Sequence, residues 1–199
     1  MPPSHFGDKT TAQEAAEYYS DRSRASFSDH GLLGSPGGLG AEAARVIALH
    51  NPKRIILAGR SKTNIEKTIK EIHSETPSAP LRPLIIDLTS LSNVREASKE
   101  DLAYKETIDV LINKAGIMGL EHYTKTIDGY EAQFATCHLG HFLFTGLIRP
   151  CLAGKCRIVN VSSRGHVCGT VRFDDIKFSD GKAYDPWLGY GQAKTTNML

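Results

Sequence analysis

Apolar and polar residues follow one another along this chain with two different spacings. Short apolar runs, typical of buried strands, are separated by longer stretches in which apolar residues recur every three or four positions, as on one face of a helix. The short runs predict strands at residues 54–58, 84–86, 109–112 and 157–161. The longer stretches predict helices at residues 39–50, 64–74, 91–102 and 129–148, and a last helix that starts near Tyr190.

Strands that alternate with helices indicate right-handed crossovers and a parallel sheet covered on both faces. We therefore expect an α/β fold with a doubly wound sheet over residues 28–199, with loops at residues 77–83 and 177–189. Residues 1–27 form a separate N-terminal arm in this interpretation. Thr11 and Glu14 have the spacing of a capping box and predict a short helix in that arm, over residues 12–20.

The composition is that of one globular domain. The 199 residues are 40% hydrophobic and 23% charged, with a net charge of +2, which gives no sign of a nucleic-acid partner. The four cysteines have neither the paired spacing of a zinc site nor the density of a secreted disulfide scaffold, so we expect a reduced, cytoplasmic chain. No stretch approaches the roughly 20 apolar residues of a membrane span.

A glycine-rich loop precedes the first predicted helix. Gly34, Gly38 and Gly40, with Ser35 and Leu39 between them, lead directly into that helix. Glycine permits a tight turn and close approach of the backbone to a pyrophosphate, and a helix N-terminus favours phosphate. The loop predicts a dinucleotide site, although an ordinary turn remains open when the loop is taken alone.

Arg60 follows the next predicted strand, where a dinucleotide-binding fold places the partner of the adenine ribose. An acidic residue there binds the 2'-hydroxyl of NAD, whereas a basic residue neutralises the 2'-phosphate of NADP. Arg60 therefore favours NADP over NAD. A solvated surface arginine is the alternative.

Two further strands end in residues that suit the same ligand. Asp87 and Leu88 follow one strand, and Asp87 is a candidate acceptor for the adenine amino group or a residue that starts a turn. Asn113, Ala115 and Gly116 follow the other strand. Because the carboxyl ends of parallel strands lie at one edge of the sheet, these loops are expected to converge on one crevice.

Tyr190 and Lys194 are four positions apart at the start of the last predicted helix, so both lie on one face. A tyrosine is a poor base near neutrality unless a cation favours its phenolate, and Lys194 is placed to supply that cation. Ser163 ends the preceding strand and is a candidate for holding a reacting carbonyl or hydroxyl, or for a simple cap. We expect these three residues to be the catalytic set.

A metal site is not indicated. His138 and His141 are three positions apart on a predicted helix, but neither a glutamate nor a third ligand accompanies them.

The order of these motifs resembles the short-chain dehydrogenase/reductase family, and the segments 138–142 and 160–163 are similar to its retinol dehydrogenase and WW-domain oxidoreductase branch. The resemblance covers residues 33–199. It implies a Rossmann fold, NADP(H), and the interconversion of a small-molecule alcohol with a ketone or aldehyde. It also implies that Tyr190 exchanges the proton, that Lys194 binds the nicotinamide ribose and favours the phenolate, and that Ser163 positions the substrate oxygen.

Several positions depart from the family pattern. Leu33 replaces a usual threonine, Lys114 the second asparagine after the fourth strand, and Cys137 the catalytic asparagine of the long helix. Residues 26–31 are polar for a buried first strand. The chain stops at Leu199, so we expect a sheet that is incomplete at its C-terminal edge and that is either marginally stable or covered there by a second copy or another partner.

Three functional hypotheses follow. The first is an NADP-dependent alcohol dehydrogenase or carbonyl reductase. The second is a truncated, non-catalytic remnant that at most binds a nucleotide or a protein partner, which Cys137 and the early stop favour. The third, an epimerase acting on sugar nucleotides, also uses a Tyr-x-x-x-Lys pair, but the glycine spacing disfavours it.

Overall fold

The structure is a computed structural model that describes residues 10–11, 13–14, 30–33 and 38–199. At the N-terminal end the predicted capping box is present. The amide and hydroxyl of Thr11 donate to Glu14 Oε2 at 2.7 and 2.9 Å, and the amide of Glu14 donates to Thr11 Oγ1 at 3.1 Å. The remainder of the predicted arm helix lies outside the described residues.

Five parallel strands form one sheet in the order β3-β2-β1-β4-β5. The strands are β1 His30–Leu33, β2 Ile55–Gly59, β3 Leu81–Ile85, β4 Ile108–Asn113 and β5 Leu152–Asn160. The chain winds outward from β1 to β3 and then returns to the other side of β1 at β4. This reversal opens a crevice at the carboxyl edge of the sheet, between β1 and β4, where doubly wound folds bind ligands.

Helices connect the consecutive strands, as the sequence predicts, and one more helix follows β5. They are α1 Leu39–Ala48, α2 Lys62–Glu75, α3 Leu91–Ala103, α4 Ala132–Phe134, α5 Gly140–Leu147 and α6 Pro186–Thr196. A π-helical segment, Ala135–Leu139, joins α4 to α5, so that residues 132–147 form one continuous helix. Short 3-10 turns lie at Arg149–Cys151, Arg164–Cys168 and Ser179–Gly181.

The buried residues form a layer on each face of the sheet, and β2 shows why. Ile55 and Leu57 pack with α1 and α2, whereas Ile56 and Ala58 point the other way. That second layer also contains Val94, Phe144 and Ile148. A strand whose residues are buried on both faces must be covered on both sides of the sheet. The prediction of a doubly wound α/β sheet is confirmed.

The first strand corrects an expectation. The polar residues 26–31 made a buried first strand doubtful, yet the backbone of His30–Leu33 pairs in parallel with β2 on one side and β4 on the other. The strand takes in the apolar Leu32 and Leu33 at the end of that stretch.

Several other boundaries differ from the prediction, and the last helix begins at Pro186, inside the predicted loop, and not near Tyr190. Pro83, expected in a loop, lies inside β3, which is tolerable because an edge strand leaves one side of its backbone unpaired. β5 begins at Leu152 and not at residue 157, and its register with β4 shifts between Ile108 and Val110. The long helix begins at residue 132 and not at residue 129, since Glu131 caps it by accepting from two helix amides.

Candidate active site

The glycine loop is described from Gly38 onward. Gly38 has φ +59° and occupies the N-cap of α1, a conformation that side chains rarely adopt. Leu39, 77% exposed, and Gly40 form the first turn of the helix. Gly38 has no side chain to cap α1, so the first amides lack that acceptor and suit an anion. Gly34 and Ser35 lie outside the described residues.

Arg60 stands where the sequence places it, directly after β2 and exposed to solvent. The next residue, Ser61, caps α2 by accepting from the amide of Asn64 at 3.2 Å. This cap fixes the backbone directly after Arg60.

Asp87 starts a turn. Its Oδ1 accepts from the amide and hydroxyl of Thr89 at 2.9 and 2.7 Å. The side chain of Leu88 is buried in the core, where it lies so close to Gly140 that a Cβ on Gly140 would meet Leu88 Cβ at 2.8 Å. The turn-forming alternative for Asp87 is therefore present.

The loop after β4 is fastened to neighbouring elements by two residues. Asn113 Nδ2 donates to Thr145 Oγ1 at 3.0 Å and to Asn160 Oδ1 at 2.8 Å, which ties β4 to α5 and β5. The carbonyl of Ala115 bonds to His141 Nε2 at 2.8 Å. Because a carbonyl only accepts, Nε2 of His141 carries the proton. Burial lowers the pKa of His141 to about 4, so its ring is neutral near pH 7.

Gly116 packs directly against the centre of the site. A Cβ at this position would lie 2.9 Å from Cys137 Sγ and 3.7 Å from Lys194 Nζ. Cys137 sits in the π-helical segment, is fully buried and donates its thiol to the carbonyl of Ile117 at 3.4 Å. Burial raises the pKa of this thiol. At the neighbouring Lys114, burial and the charge of Lys194 lower the pKa.

The turn after β5 brings Ser163 to Tyr190. Ser163 Oγ accepts from the amide of Gly165 at 3.1 Å, so the capping role is present. A Cβ on Gly165 would lie 2.6 Å from Tyr190 Cε1 and 3.5 Å from Ser163 Oγ. Ser162 points elsewhere and donates to the carbonyl of Lys194 at 2.7 Å. Of the two adjacent serines, Ser163 is the one beside the tyrosine ring.

Tyr190 and Lys194 lie on one face of α6, as their spacing predicts. Tyr190 is only 8% exposed and Lys194 only 4%. Lys194 Nζ is 5.7 Å from the centroid of the Tyr190 ring. Nζ donates to the carbonyl of Val161 at 3.0 Å. Asp185 starts α6 by accepting from the amides of the second and third residues of the helix. The lysine is thereby anchored to β5 next to the phenol.

Large apolar side chains are exposed in the chain segments that carry this set. Four large side chains there are at least 40% exposed: Met118, Val167, Trp187 and Leu188. The ring of Trp187 covers Gly119, approaching its Cβ position to 3.7 Å. Met118 and Val167 lie in the segments that follow β4 and β5, and Trp187 and Leu188 lie in the first turn of α6, the helix that bears Tyr190. We call them the apolar rim.

Sequence reasoning missed two residues of the turn, Gly165 and His166. Gly165 provides the contact between Ser163 and Tyr190, and His166 bonds to the Ser163 carbonyl. A glycine and a histidine after Ser-Ser give no periodic pattern, and only their position after a strand end could have indicated them.

The sequence predicted no metal site at His138 and His141. These bond to Asn197 Oδ1 and the Ala115 carbonyl, and no group of metal-binding side chains occurs within the described part of the chain.

The described residues contain no helix that is long and apolar enough to cross a membrane.

The sequence of residues 32–173 matches the profile of the short chain dehydrogenase family. The chain belongs to this family. Human retinol dehydrogenase 13 is 38% identical over 170 residues, which is 84% of this chain and 50% of that protein. A short-chain dehydrogenase/reductase of Penicillium roqueforti is 37% identical and matches 82% of this chain and 48% of its own length. The curated relatives place the chain in the retinol dehydrogenase-like branch of this oxidoreductase family.

The chain spans about half the length of these curated relatives. Among solved structures, a putative short-chain dehydrogenase of Escherichia coli complexed with NADPH superposes with a TM-score of 0.64 at 20% identity. The match covers 85% of this chain and 68% of that protein. A metagenomic short-chain oxidoreductase in complex with NADP superposes with a TM-score of 0.63 at 19% identity. The match covers 87% of this chain and 73% of that protein. These similarities establish the Rossmann fold.

Proposed function

We propose that this chain is an NADP-dependent oxidoreductase that interconverts a small-molecule alcohol with a ketone or aldehyde. The observation that carries the proposal is the contact of Gly165 with both Ser163 Oγ and the Tyr190 ring, with Lys194 one helical turn further on. In this proposal Tyr190 donates its phenolic proton to the carbonyl oxygen, or takes it back from the alcohol. Ser163 holds that oxygen by a hydrogen bond, and the ammonium of Lys194 stabilises the phenolate.

The residues at the carboxyl edge fit a dinucleotide. The uncapped start of α1 after Gly38 suits a pyrophosphate, and Gly116 lies close to the ammonium of Lys194. We propose that the nucleotide is held by these residues together with the following: Gly34, Ser35, Leu39, Gly40, Arg60, Asp87, Leu88, Asn113, Ala115 and Tyr190. The bound nucleotide supplies or accepts the hydride. Solved relatives with NADPH or NADP support this role, and Arg60 favours NADP over NAD.

The apolar rim supports an apolar alcohol or aldehyde as the substrate class. Relatives named retinol dehydrogenases agree with such a substrate. Exposed side chains as large as Trp187 and Met118 are expected to contact a ligand when they cluster beside reactive groups.

The test combines binding and turnover. NADPH is titrated into the purified chain by fluorescence, and reduction of aldehydes and ketones is then measured for the wild type and for Tyr190→Phe. We expect NADPH binding in both proteins and turnover only in the wild type. Binding without turnover that depends on Tyr190 would overturn the catalytic proposal, and a lack of binding would overturn the nucleotide site as well.

A second candidate function rests on Cys137 and Lys114. Cys137 is a buried, weakly polar thiol where the family pattern has an asparagine, and Lys114 adds a second cation close to Lys194. Both changes favour a chain that binds nucleotide without catalysis or acts through a protein partner. In the test above, this alternative predicts NADPH binding and no turnover.

We also propose that a second copy of the chain covers the outer edge of β5. Ile158 and Val159 are each 44% exposed there, on opposite faces of the strand. Antiparallel pairing of two β5 strands centred between these residues places Arg157 opposite Asn160 and avoids opposed cations. Light scattering is expected to show a dimer that Val159→Lys disrupts, and a monomeric wild type would contradict the pairing.

We propose that residues 1–27 form an arm separate from the domain of residues 28–199. A cytoplasmic location is proposed because all four cysteines are free thiols.

A further inference from the structure

The turn Arg164–Cys168 connects Ser163 to α6 through one residue, His166. Its ring nitrogen Nδ1 lies 2.7 Å from the carbonyl oxygen of Ser163, and its backbone amide donates to the same oxygen at 3.0 Å. Because a carbonyl oxygen only accepts, Nδ1 carries the proton. The Ser163 carbonyl is therefore held by two donors of a single residue.

His166 is also joined to the helix that bears Lys194. Its own carbonyl accepts from Thr195 Oγ1 at 3.1 Å, and the same hydroxyl lies 2.7 Å from the carbonyl of Gly169. Thr195 directly follows Lys194 in α6. Hydrogen bonds thus run from Ser163 through His166 to the residue next to Lys194.

The hydroxyl of Ser163 depends on the same turn. Ser163 Oγ accepts from the amide of Gly165, which can point at it only while the turn is closed. Gly165 in turn lies against the Tyr190 ring. The imidazole of His166 adds a second donor to the backbone bond that closes this turn over Gly165, beside the serine hydroxyl and the tyrosine ring.

We propose that His166 is a positioning residue, whose imidazole holds Ser163 against Tyr190 in the geometry that the reaction needs. This inference rests on the proposed function. His166 acts through the Ser163 backbone, so its loss is expected to lower the turnover of bound substrate and to leave NADPH binding unchanged. Displacements on the order of 1 Å in a catalytic set can reduce rates about a hundredfold.

The test uses three variants of one residue. His166→Asn keeps an N–H at the position of Nδ1, whereas His166→Gln carries its amide one bond further and His166→Ala has none. We expect kcat to fall about tenfold or more in the Ala and Gln variants, with an unchanged Kd for NADPH and recovery in the Asn variant. His73→Ala is the control, because His73, on α2 and away from the site, makes a similar bond from its Nε2 to the carbonyl of Ala79.

A double-variant cycle with Ser163→Ala separates positioning from general destabilisation. If His166 acts through Ser163, then His166→Ala lowers kcat far less in the Ser163→Ala background than in the wild type. Equal losses in both backgrounds, an unchanged kcat in the Ala variant, or equal losses in the Ala and Asn variants would each overturn the inference.

Failure of the proposed function has a separate readout. If the wild type shows no turnover, the catalytic proposal fails, and hydrogen exchange at the Gly165 amide then decides the role of His166. Exchange is expected to rise at least tenfold in His166→Ala and Gln and to stay at the wild-type rate in His166→Asn. Unchanged exchange in the Ala variant would overturn the positioning role.

Discussion

Gly165 lies so close to Tyr190 that a Cβ at position 165 would stand 2.6 Å from Cε1 of the tyrosine ring. Tyr190 is buried, so its ring has little freedom to move away. The turn after β5 and the start of α6 therefore pack with no room for a side chain between them.

Gly165→Ala is expected to lower both stability and turnover. The added methyl group must displace the Tyr190 ring or the turn, at a cost of about 1–3 kcal/mol, and either movement separates Ser163 from the phenol. Urea unfolding and kcat measure the two effects. The control is Gly146→Ala in α5, where nothing lies within 4 Å of the Cβ position. That control is expected to stabilise the chain by about 0.5–1 kcal/mol, and equal stability of both variants would contradict the packing.

Arg60→Asp is expected to weaken NADPH binding more than NADH binding. Arg60 is exposed at the carboxyl end of β2, so the substitution removes a cation without disturbing the core. The aspartate repels a 2'-phosphate and accepts from a 2'-hydroxyl, which reverses the preference. Fluorescence titration with both nucleotides measures the ratio of Kd values. Equal weakening of NADPH and NADH binding would count against a 2'-phosphate role for Arg60. Lys62→Asp makes the same change of charge two positions further on and is the matched control.

The fold could be predicted where hydrophobic spacing decides the structure. In β2 the continuous apolar run of residues 55–58 requires cover on both faces, and the structure has it. The ends of elements were less accurate, because caps and pairing partners set them. The side chain of Glu131 starts the long helix, and the neighbouring β4 extends β5 back to Leu152. Neither the helix cap nor the pairing of the two strands produces a periodic pattern of apolar residues in the sequence.

The candidate site divides in the same way. The spacing of Tyr190 and Lys194 predicts a shared helix face, and the two side chains lie on it. The contacts that depend on tertiary structure could not be predicted. His166 reaches Ser163 through a 3-10 turn, and Gly116 meets Cys137 across two separate elements. Such pairs follow from how the turns are folded, which local propensity does not determine.

The four cysteines are expected to react with iodoacetamide in an order set by burial. Cys168 is exposed, whereas Cys137 is fully buried and burial raises the pKa of its thiol. Because the thiolate is the reactive form, Cys168 reacts first and Cys137 last. Mass spectrometry of peptides after timed alkylation measures the order. In urea all four cysteines are expected to react alike, and equal rates for Cys137 and Cys168 in the folded chain would contradict the packing beneath Gly116.

His141 is expected to make the folded state less stable as the pH falls. Its pKa is about 4 in the folded chain, chiefly because of burial, against 6.5 for an ordinary histidine. Above pH 6.5 both states hold a neutral ring and the contribution is complete. Between pH 6.5 and 4 only the unfolded state binds the proton, so stability is lost progressively, by on the order of 3 kcal/mol.

Urea unfolding at several pH values between 7 and 4 measures this loss. His141→Gln removes the titrating ring and keeps an amide donor for the carbonyl of Ala115. Its stability is therefore expected to fall less steeply over this range than that of the wild type. Equal slopes would show that the ring titrates alike in both states, which is incompatible with the burial of His141 against the loop that follows β4.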